Sequence, residues 1–314
     1  MTLLPIAVFN ILPSSSPNTM GEIMPEEKKK RVLTPSQMVE RSIFGSYRSR
    51  LWTPFITAIK TYELIKPGDK IAVCISGGKD SMLLAKLMQM LHRISDFPFE
   101  LVYLVMDPGY NPANRAMIEH NAQLMDIPVT IFETDIFEIT STVEKYPCYL
   151  CARMRRGHLY KKAQDLGCNK IALGHHLNDV IETVLMGMFY SSQIQTMPPK
   201  LHSQNFEGME LIRPLYCVKE DDIIAWKNYN HLEFLQCACR FTESSEHSAD
   251  GIGASKRKEV KMLIKALRKD NPLIEDSLFN SVHNVTINTF AGYKIGKQKH
   301  SFLENYDKLS EESE

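Results

Sequence analysis

The chain has 314 residues, 37 lysines and arginines against 37 aspartates and glutamates, and 44% apolar side chains. That size and apolar content bury one large core or two modest ones, while no run approaches the ~20 apolar residues that span a bilayer. A soluble, cytoplasmic protein with no membrane partner is expected. Zero net charge argues against a simple polyanion binder, yet basic residues cluster at 28–31, 153–162 and 256–269, and such local surfaces can meet nucleic acid. Seven cysteines, an odd number, suggest reduced thiols, whose close pairs bind metal more often than they form disulfides.

The opening MTLLPIAVFNILPSSSPNTM is apolar, but it has no basic segment ahead of the apolar run and is broken by Pro5 and Pro13. A secretory signal is not expected there. A disordered arm over residues 1–33 is, or a true start at Met20 or Met24. TPSQMVERSIFGSYRSRLWTPFITAIKTYELI then reads as one or two amphipathic helices, with Thr34 as cap and Pro35 at the first helical position.

In KIAVCISGGKDSMLLAKLMQML, Ile71, Val73 and Ile75 alternate with small residues as a strand does. Leu83, Leu84, Leu87, Met88 and Leu91 then recur at helical spacing. Ser76-Gly77-Gly78-Lys79-Asp80-Ser81 is therefore a strand-to-helix turn. Its glycines let the backbone approach closely, and the free amides and positive end of the helix face whatever sits there, most naturally a phosphate. The P-loop of kinases and GTPases needs a glycine five residues before the Gly-Lys pair and Ser or Thr after it, where this chain has Val73 and Asp80.

Beyond the turn, ELVYLVMD reads as strand, NRAMIEHNAQLM helix, PVTIFET strand, CARMRRGHLYKKAQDLG helix, NKIALGHH strand and NDVIETVLMGMFY helix. MELIRPLY adds a strand, KEDDIIAWKNYN a helix and FLQCACRF a loop. This alternation predicts an α/β fold with a doubly wound, mainly parallel sheet. Ligands then sit at the carboxyl ends of the strands, where Ser76, Asp107 and Gly174 fall. SKRKEVKMLIKALRKD is a basic helix; Met262, Leu263, Ala266 and Leu267 form its apolar stripe, so it is read as docked with its basic side outward. The expected divisions are an arm (1–33), a nucleotide-binding domain preceded by helices (34–250), a helical extension (251–290) and a polar, acidic tail (291–314).

Cys148 and Cys151 form Cys-x-x-Cys immediately before a predicted helix, where amide dipoles favour the thiolate. Cys237 and Cys239 make a tighter pair, whereas Cys74 and Cys168 read as buried, inert thiols. The four paired cysteines suit a structural zinc site, a redox pair that relays sulfur, or an iron-sulfur cluster, and spacing alone does not separate these.

The turn SGGKDS resembles the PP-loop of ATP pyrophosphatases, which cleave ATP between the α and β phosphates and transfer AMP to a substrate oxygen. With CYLCARMRRGHLY, KIALGHHLNDVIETVLMGMFY, MPPKL, IRPLYCVKEDDI and CAC following in order, residues 35–250 resemble the tRNA 2-thiocytidine biosynthesis family. The resemblance implies an enzyme that uses ATP and magnesium to adenylate the 2-oxo oxygen of cytidine 32 in the tRNA anticodon loop. Sulfur carried by a 4Fe-4S cluster then replaces that oxygen. It further implies a sulfur donor such as a cysteine desulfurase, and a homodimer.

Carried onto this chain, Ser76, Gly77, Gly78, Asp80 and Ser81 bind pyrophosphate and Lys79 neutralises the phosphates. Gly174 and His175 border the nucleotide, and Asp179 is the carboxylate near the α-phosphate, although a helix-start carboxylate is its bland alternative. Cys148, Cys151 and Cys237 are the expected cluster ligands, with an exchange between Cys237 and Cys239 left open because Gln236-Cys237-Ala238-Cys239 stands where the family shows Pro-Cys-x-x-Cys. Arg153, Arg155 and Arg156 suit thiolates, phosphates or the tRNA backbone. Two other functions compete: a 2-thiouridine synthetase on the same fold, and a non-catalytic tRNA-binding or iron-sulfur carrier protein.

Overall fold

Thr34 opens α1 (Pro35–Phe44) with a capping box. Its hydroxyl accepts from the Gln37 amide at 3.2 Å, and the Gln37 side chain accepts from the Thr34 amide at 3.1 Å, with Pro35 placed where no amide is needed. A π-helical turn (Arg48–Trp52) leads directly into α2 (Thr53–Thr61), and Ile43, Leu51 and Phe55 are fully buried beneath it. The computed structural model describes residues 32–143, 147–235, 252–304 and 306, and those from Thr34 onward belong to one compact unit.

That unit is built on a six-stranded sheet of order β3-β2-β1-β4-β6-β5. Its strands are β1 (Lys70–Ile75), β2 (Glu100–Asp107), β3 (Val129–Glu133), β4 (Lys170–Ala172), β5 (Lys200–His202) and β6 (Glu210–Ile212). Every neighbouring pair is parallel except β5 with β6. The helices that cross over are α3 (Lys79–Ile94), α4 (Pro112–Leu124), α5 (Ile136–Ser141), α6 (Pro147–Asp165) and α7 (Leu177–Ser191), followed by α8 (Glu220–Tyr229). The expected doubly wound, mainly parallel architecture is present; the short α5 and the antiparallel edge β5 were not foreseen.

β1 is buried on both faces, as a central parallel strand is. Ile71, Val73 and Ile75 pack with Leu83, Leu84 and Leu87 on one side, while Ala72 and Cys74 pack with Leu104, Tyr160 and Ile171 on the other. Burial drives the Cys74 thiol up to about 12 and raises Cys168 as well, so both stay protonated and inert. The fully buried Lys86 ammonium on α3 meets Glu40 at 2.6 Å, Gln89 at 2.7 Å, Ser36 at 2.8 Å and the Met125 carbonyl at 2.9 Å. A buried charge satisfied on all sides fixes α1 against α3 and the end of α4.

Two expectations about the C-terminal part are corrected. The basic helix, α9 (Ile252–Asp270), does not dock through Met262, Leu263 and Leu267, which are 61%, 40% and 42% exposed; Val260 and Ile264 are buried instead, against Leu177, Ile181 and Leu185 of α7. Its basic side is not wholly outward either, because Arg257, Lys261 and Arg268 turn back onto acidic groups. After α10 (Ile274–Ser281), residues expected as tail contain an antiparallel hairpin, β7 (Gly292–Ile295) with β8 (Gln298–Ser301), turning at Gly296 with φ +61°. Among the described residues, no helix is long and apolar enough to cross a membrane.

Candidate active site

Strand order reverses at β1: β2 and β3 lie to one side, and β4, β6 and β5 to the other. The crevice beyond the carboxyl ends at such a switch point is where open α/β sheets bind ligands, and residues 76–81 occupy it. Gly77 has φ +83°, and a Cβ there would stand 2.7 Å from Ile118 Cγ1 and 2.8 Å from Leu235 Cδ1, so only glycine fits. Ser81 closes the turn. Its buried hydroxyl donates to the Gly78 carbonyl at 2.9 Å and accepts from the Ser76 amide at 3.1 Å and the Ser76 hydroxyl at 3.2 Å. Gly78, in extended conformation, starts α3 with no side-chain cap on the helix amides.

Gly174, just past β4, lies against this turn: a Cβ would be 3.1 Å from the Asp80 carbonyl carbon and the Ser81 nitrogen. The expected neighbours Gly174, Asp80 and Ser81 are thus in contact. Next along the chain, the His175 ring has its Nδ1 without a hydrogen-bond partner. Burial drives the His175 pKa down to about 4, Arg213, His176 and Arg257 adding to it against Asp179, so the ring is neutral at physiological pH. His176 caps α7: its Nδ1 accepts from the Asp179 amide at 3.4 Å, and Asp179 Oδ2 accepts from the His176 amide at 3.1 Å. The helix-start role of Asp179 is therefore real, and His176 Nε2 also lies 3.8 Å from Asp80.

Lys79 is held by Asp80 at 3.1 Å and by Glu220, the first residue of α8, at 3.0 Å. Burial disfavours its charge, but those two carboxylates outweigh burial and raise the Lys79 pKa. Glu220 in turn accepts from Lys261 of α9 at 2.9 Å and 3.2 Å. Burial pushes the Glu220 carboxyl up, yet Lys261, Lys79 and His176 together hold it down at about 2. Behind it, Glu182 is 1% exposed and lies 3.5 Å from Arg257 and 3.7 Å from Lys261; burial raises it to about 7. Arg257 also stands 3.7 Å from Asp179. The guanidinium of buried Arg213 donates to the Pro198 carbonyl, while its Nε has no hydrogen-bond partner.

Of these residues sequence suggests only His176, which with His175 ends a strand near the nucleotide site and reads as either an adenine or ribose contact or a packed histidine; Glu220, Lys261, Glu182, Arg257 and Arg213 are not expected as site residues. Glu220 and Arg213 do lie within the quoted string IRPLYCVKEDDI, but Lys261 and Arg257 carry no local signal beyond their charge. What assembles here is an anion-accepting turn whose Lys79 is poised between two carboxylates.

The cysteine motif needs a correction. α6 starts at Pro147, a favoured first helical residue, so Cys148 and Cys151 stand inside the first turns rather than before them. Cys151 is half-buried, as is Tyr110 just past β2, whose hydroxyl pKa is raised by burial with Arg155 of α6 acting against it. Arg155 is half-buried, whereas Arg153 and Arg156 are exposed. The side chain of Cys148, and Cys237 and Cys239 altogether, lie outside the described residues. Leu235, two residues before Cys237, donates its amide to the Gly77 carbonyl at 3.1 Å. Among the described residues, no group of three or more His, Cys, Asp or Glu is placed to hold a metal ion.

A Ser-Gly-Gly-Lys-Asp-Ser turn between a central parallel strand and its helix, at the switch point of a doubly wound sheet, defines a PP-loop protein, and the PP-loop domain family matches residues 53–239. Two similar proteins are the tRNA-cytidine(32) 2-sulfurtransferase of Citrifermentans bemidjiense, 34% identical over 79% of this chain and 93% of that one, and its namesake from Neisseria meningitidis serogroup C, 39% identical over 57% of each. The chain belongs to the tRNA-cytidine(32) 2-sulfurtransferase family. The solved U34-tRNA thiolase NcsA from Methanococcus maripaludis, with its [4Fe-4S] cluster, matches 78% of this chain and 81% of its own with a TM-score of 0.59 at 21% identity, which shows a shared fold.

Proposed function

We propose that the protein is an ATP-dependent tRNA-cytidine 2-sulfurtransferase that replaces the 2-oxo oxygen of cytidine 32 with sulfur. The observation that carries this reading is membership of the family together with an intact loop, Gly77, Lys79, Asp80 and Ser81 all standing at the switch point. The loop amides and Lys79 bind the β and γ phosphates of ATP. The cytidine oxygen attacks the α-phosphorus, and pyrophosphate leaves from the loop. Asp179 and the neutral His175 border the α-phosphate and nucleoside. An amide-like oxygen is a poor leaving group; joined to AMP it departs when sulfur adds at carbon 2, so the carbon–sulfur bond forms as the carbon–oxygen bond breaks.

Two cofactors belong to this reading, magnesium to screen phosphate charge and a 4Fe-4S cluster to present the incoming sulfur. Cys148 and Cys151 fit as cluster ligands: both lie at the positive end of α6, where the dipole favours thiolates, and Cys237 supplies the third. Arg155 and Arg156 favour the tRNA backbone or the activated phosphate. A sulfur donor such as a cysteine desulfurase and assembly as a homodimer complete the proposal.

Nucleoside mass spectrometry on tRNA from cells lacking the protein tests it. Loss of 2-thiocytidine is expected. Loss of a 2-thiouridine in its place, or an unchanged nucleoside profile, would overturn the assignment.

A further inference from the structure

The PP-loop domain match ends at residue 239, yet α9, which begins at Ile252, reaches into the nucleotide site. We infer that Lys261 of α9 is a positioning residue for ATP: by holding the charge of Glu220, it lets that carboxylate orient Lys79 without repelling the phosphates. The inference rests on the nucleotide-binding half of the proposed function. It also makes the C-terminal helix part of the active site rather than an appendage.

The geometry is a three-membered relay. Lys79 Nζ donates to Glu220 Oε1 at 3.0 Å, and Lys261 Nζ donates to Glu220 Oε1 and Oε2 at 3.2 Å and 2.9 Å. Glu220 is fixed from a second side, because its amide donates to Asn178 Oδ1 at 2.9 Å, and the Asn178 side-chain amide donates to Glu275 at 2.9 Å. A carboxylate so fixed aims Lys79, but its negative charge beside an incoming triphosphate is a liability. Only Lys261 meets both Glu220 oxygens among the described hydrogen bonds, and it cannot drift away, since Val260 and Ile264 pin its helix onto α7. Without Lys261 the carboxylate competes with the phosphates for Lys79 and repels them.

The experiment uses the full chain and measures the dissociation constant of magnesium-ATP, with the unfolding midpoint followed in parallel. Lys261→Met keeps the apolar stem and should weaken ATP binding about tenfold, equivalent to about 1.4 kcal/mol. Lys261→Arg restores most of the affinity. In a Glu220→Gln background, Lys261→Met should change affinity less than about twofold, since the charge it compensates is gone. Unchanged ATP affinity in Lys261→Met overturns the inference, as does an equal loss in both backgrounds or a loss that Lys261→Arg fails to restore. Thiolated nucleosides, read separately, decide the other question: an affinity shift as expected with no 2-thiocytidine formed by the wild type upholds the relay and refutes the proposed reaction. Normal thiolation with an unmoved affinity does the reverse.

Discussion

Ser81 and Asp80, joined by one peptide bond, do different work in the same turn. The Ser81 hydroxyl joins the two ends of the loop through Ser76 and Gly78, whereas Asp80 engages Lys79 through one oxygen and leaves the other, buried, without a hydrogen-bond partner. A buried polar atom with no partner costs stability, and sites keep such atoms where a ligand or ion completes them. Asp80→Ala and Ser81→Ala are each expected to abolish sulfur transfer. Asp80→Ala should leave the unfolding midpoint close to wild type, and Ser81→Ala should cost about 1–3 kcal/mol of stability, the range for removing a buried hydrogen-bonding group. A thiolation assay paired with denaturant unfolding checks both, and wild-type turnover by either variant would remove the loop from the mechanism.

Helices place these residues, and α9 shows how little of that placement is local. Val260, Met262, Leu263, Ile264, Ala266 and Leu267 spread around much of its circumference, so the pattern offers more than one apolar face. The chosen face is the one that meets Leu177, Ile181 and Leu185 of α7, and it turns Arg257 and Lys261 toward the site. Ile264→Ala should therefore lower stability by about 2–5 kcal/mol, the range for emptying a buried aliphatic site, while Leu263→Ala should stay within about 0.5 kcal/mol. Chemical denaturation of the two variants distinguishes this face from the one expected from sequence. Equal costs would mean that α9 docks in another phase.

At the scale of the whole molecule, the proposed cluster requires a cysteine pair on α6 to meet a thiol some ninety residues away. Tyr110 meets Arg155 of α6, one turn beyond Cys151, and Leu235 is tied to Gly77, so the segment leading to the second cysteine pair runs beside the nucleotide turn. Protein purified without air should be brown, and oxygen should bleach it. Cys148→Ala, Cys151→Ala and Cys237→Ala should each lose iron and thiolation, whereas Cys239→Ala should keep the cluster and much of the activity, because three ligands leave one iron open to carry sulfur. Iron quantification on each anaerobic variant tests this. Equal loss at Cys237 and Cys239 sinks the three-ligand arrangement, and colourless protein with stoichiometric zinc replaces the cluster with a closed structural site.

The cap at Thr34 with Pro35 behind it, the strand-turn-helix from Lys70 to Ile94 and a helix start beside Asp179 are all legible in the chain. Each is decided within a few residues, by a cap, a period or a glycine at positive φ. The doubly wound sheet followed from the alternation of those local units. Local pattern extended less far for the Cys-x-x-Cys motif, where a proline at the first helical position drew both cysteines into α6, and for the β7–β8 hairpin, whose four-residue strands carry only Tyr293 and Ile295 as large apolar side chains. Tertiary structure alone decided the distant partner of Lys79. Its contact with Glu220 spans 141 residues and that of Glu220 with Lys261 spans 41, distances over which no periodicity or capping rule operates. Charged side chains look alike along a sequence; which of them share one crevice is set by how α7, α8 and α9 pack around the end of β1, since burial is what forces each charge to find its counterpart.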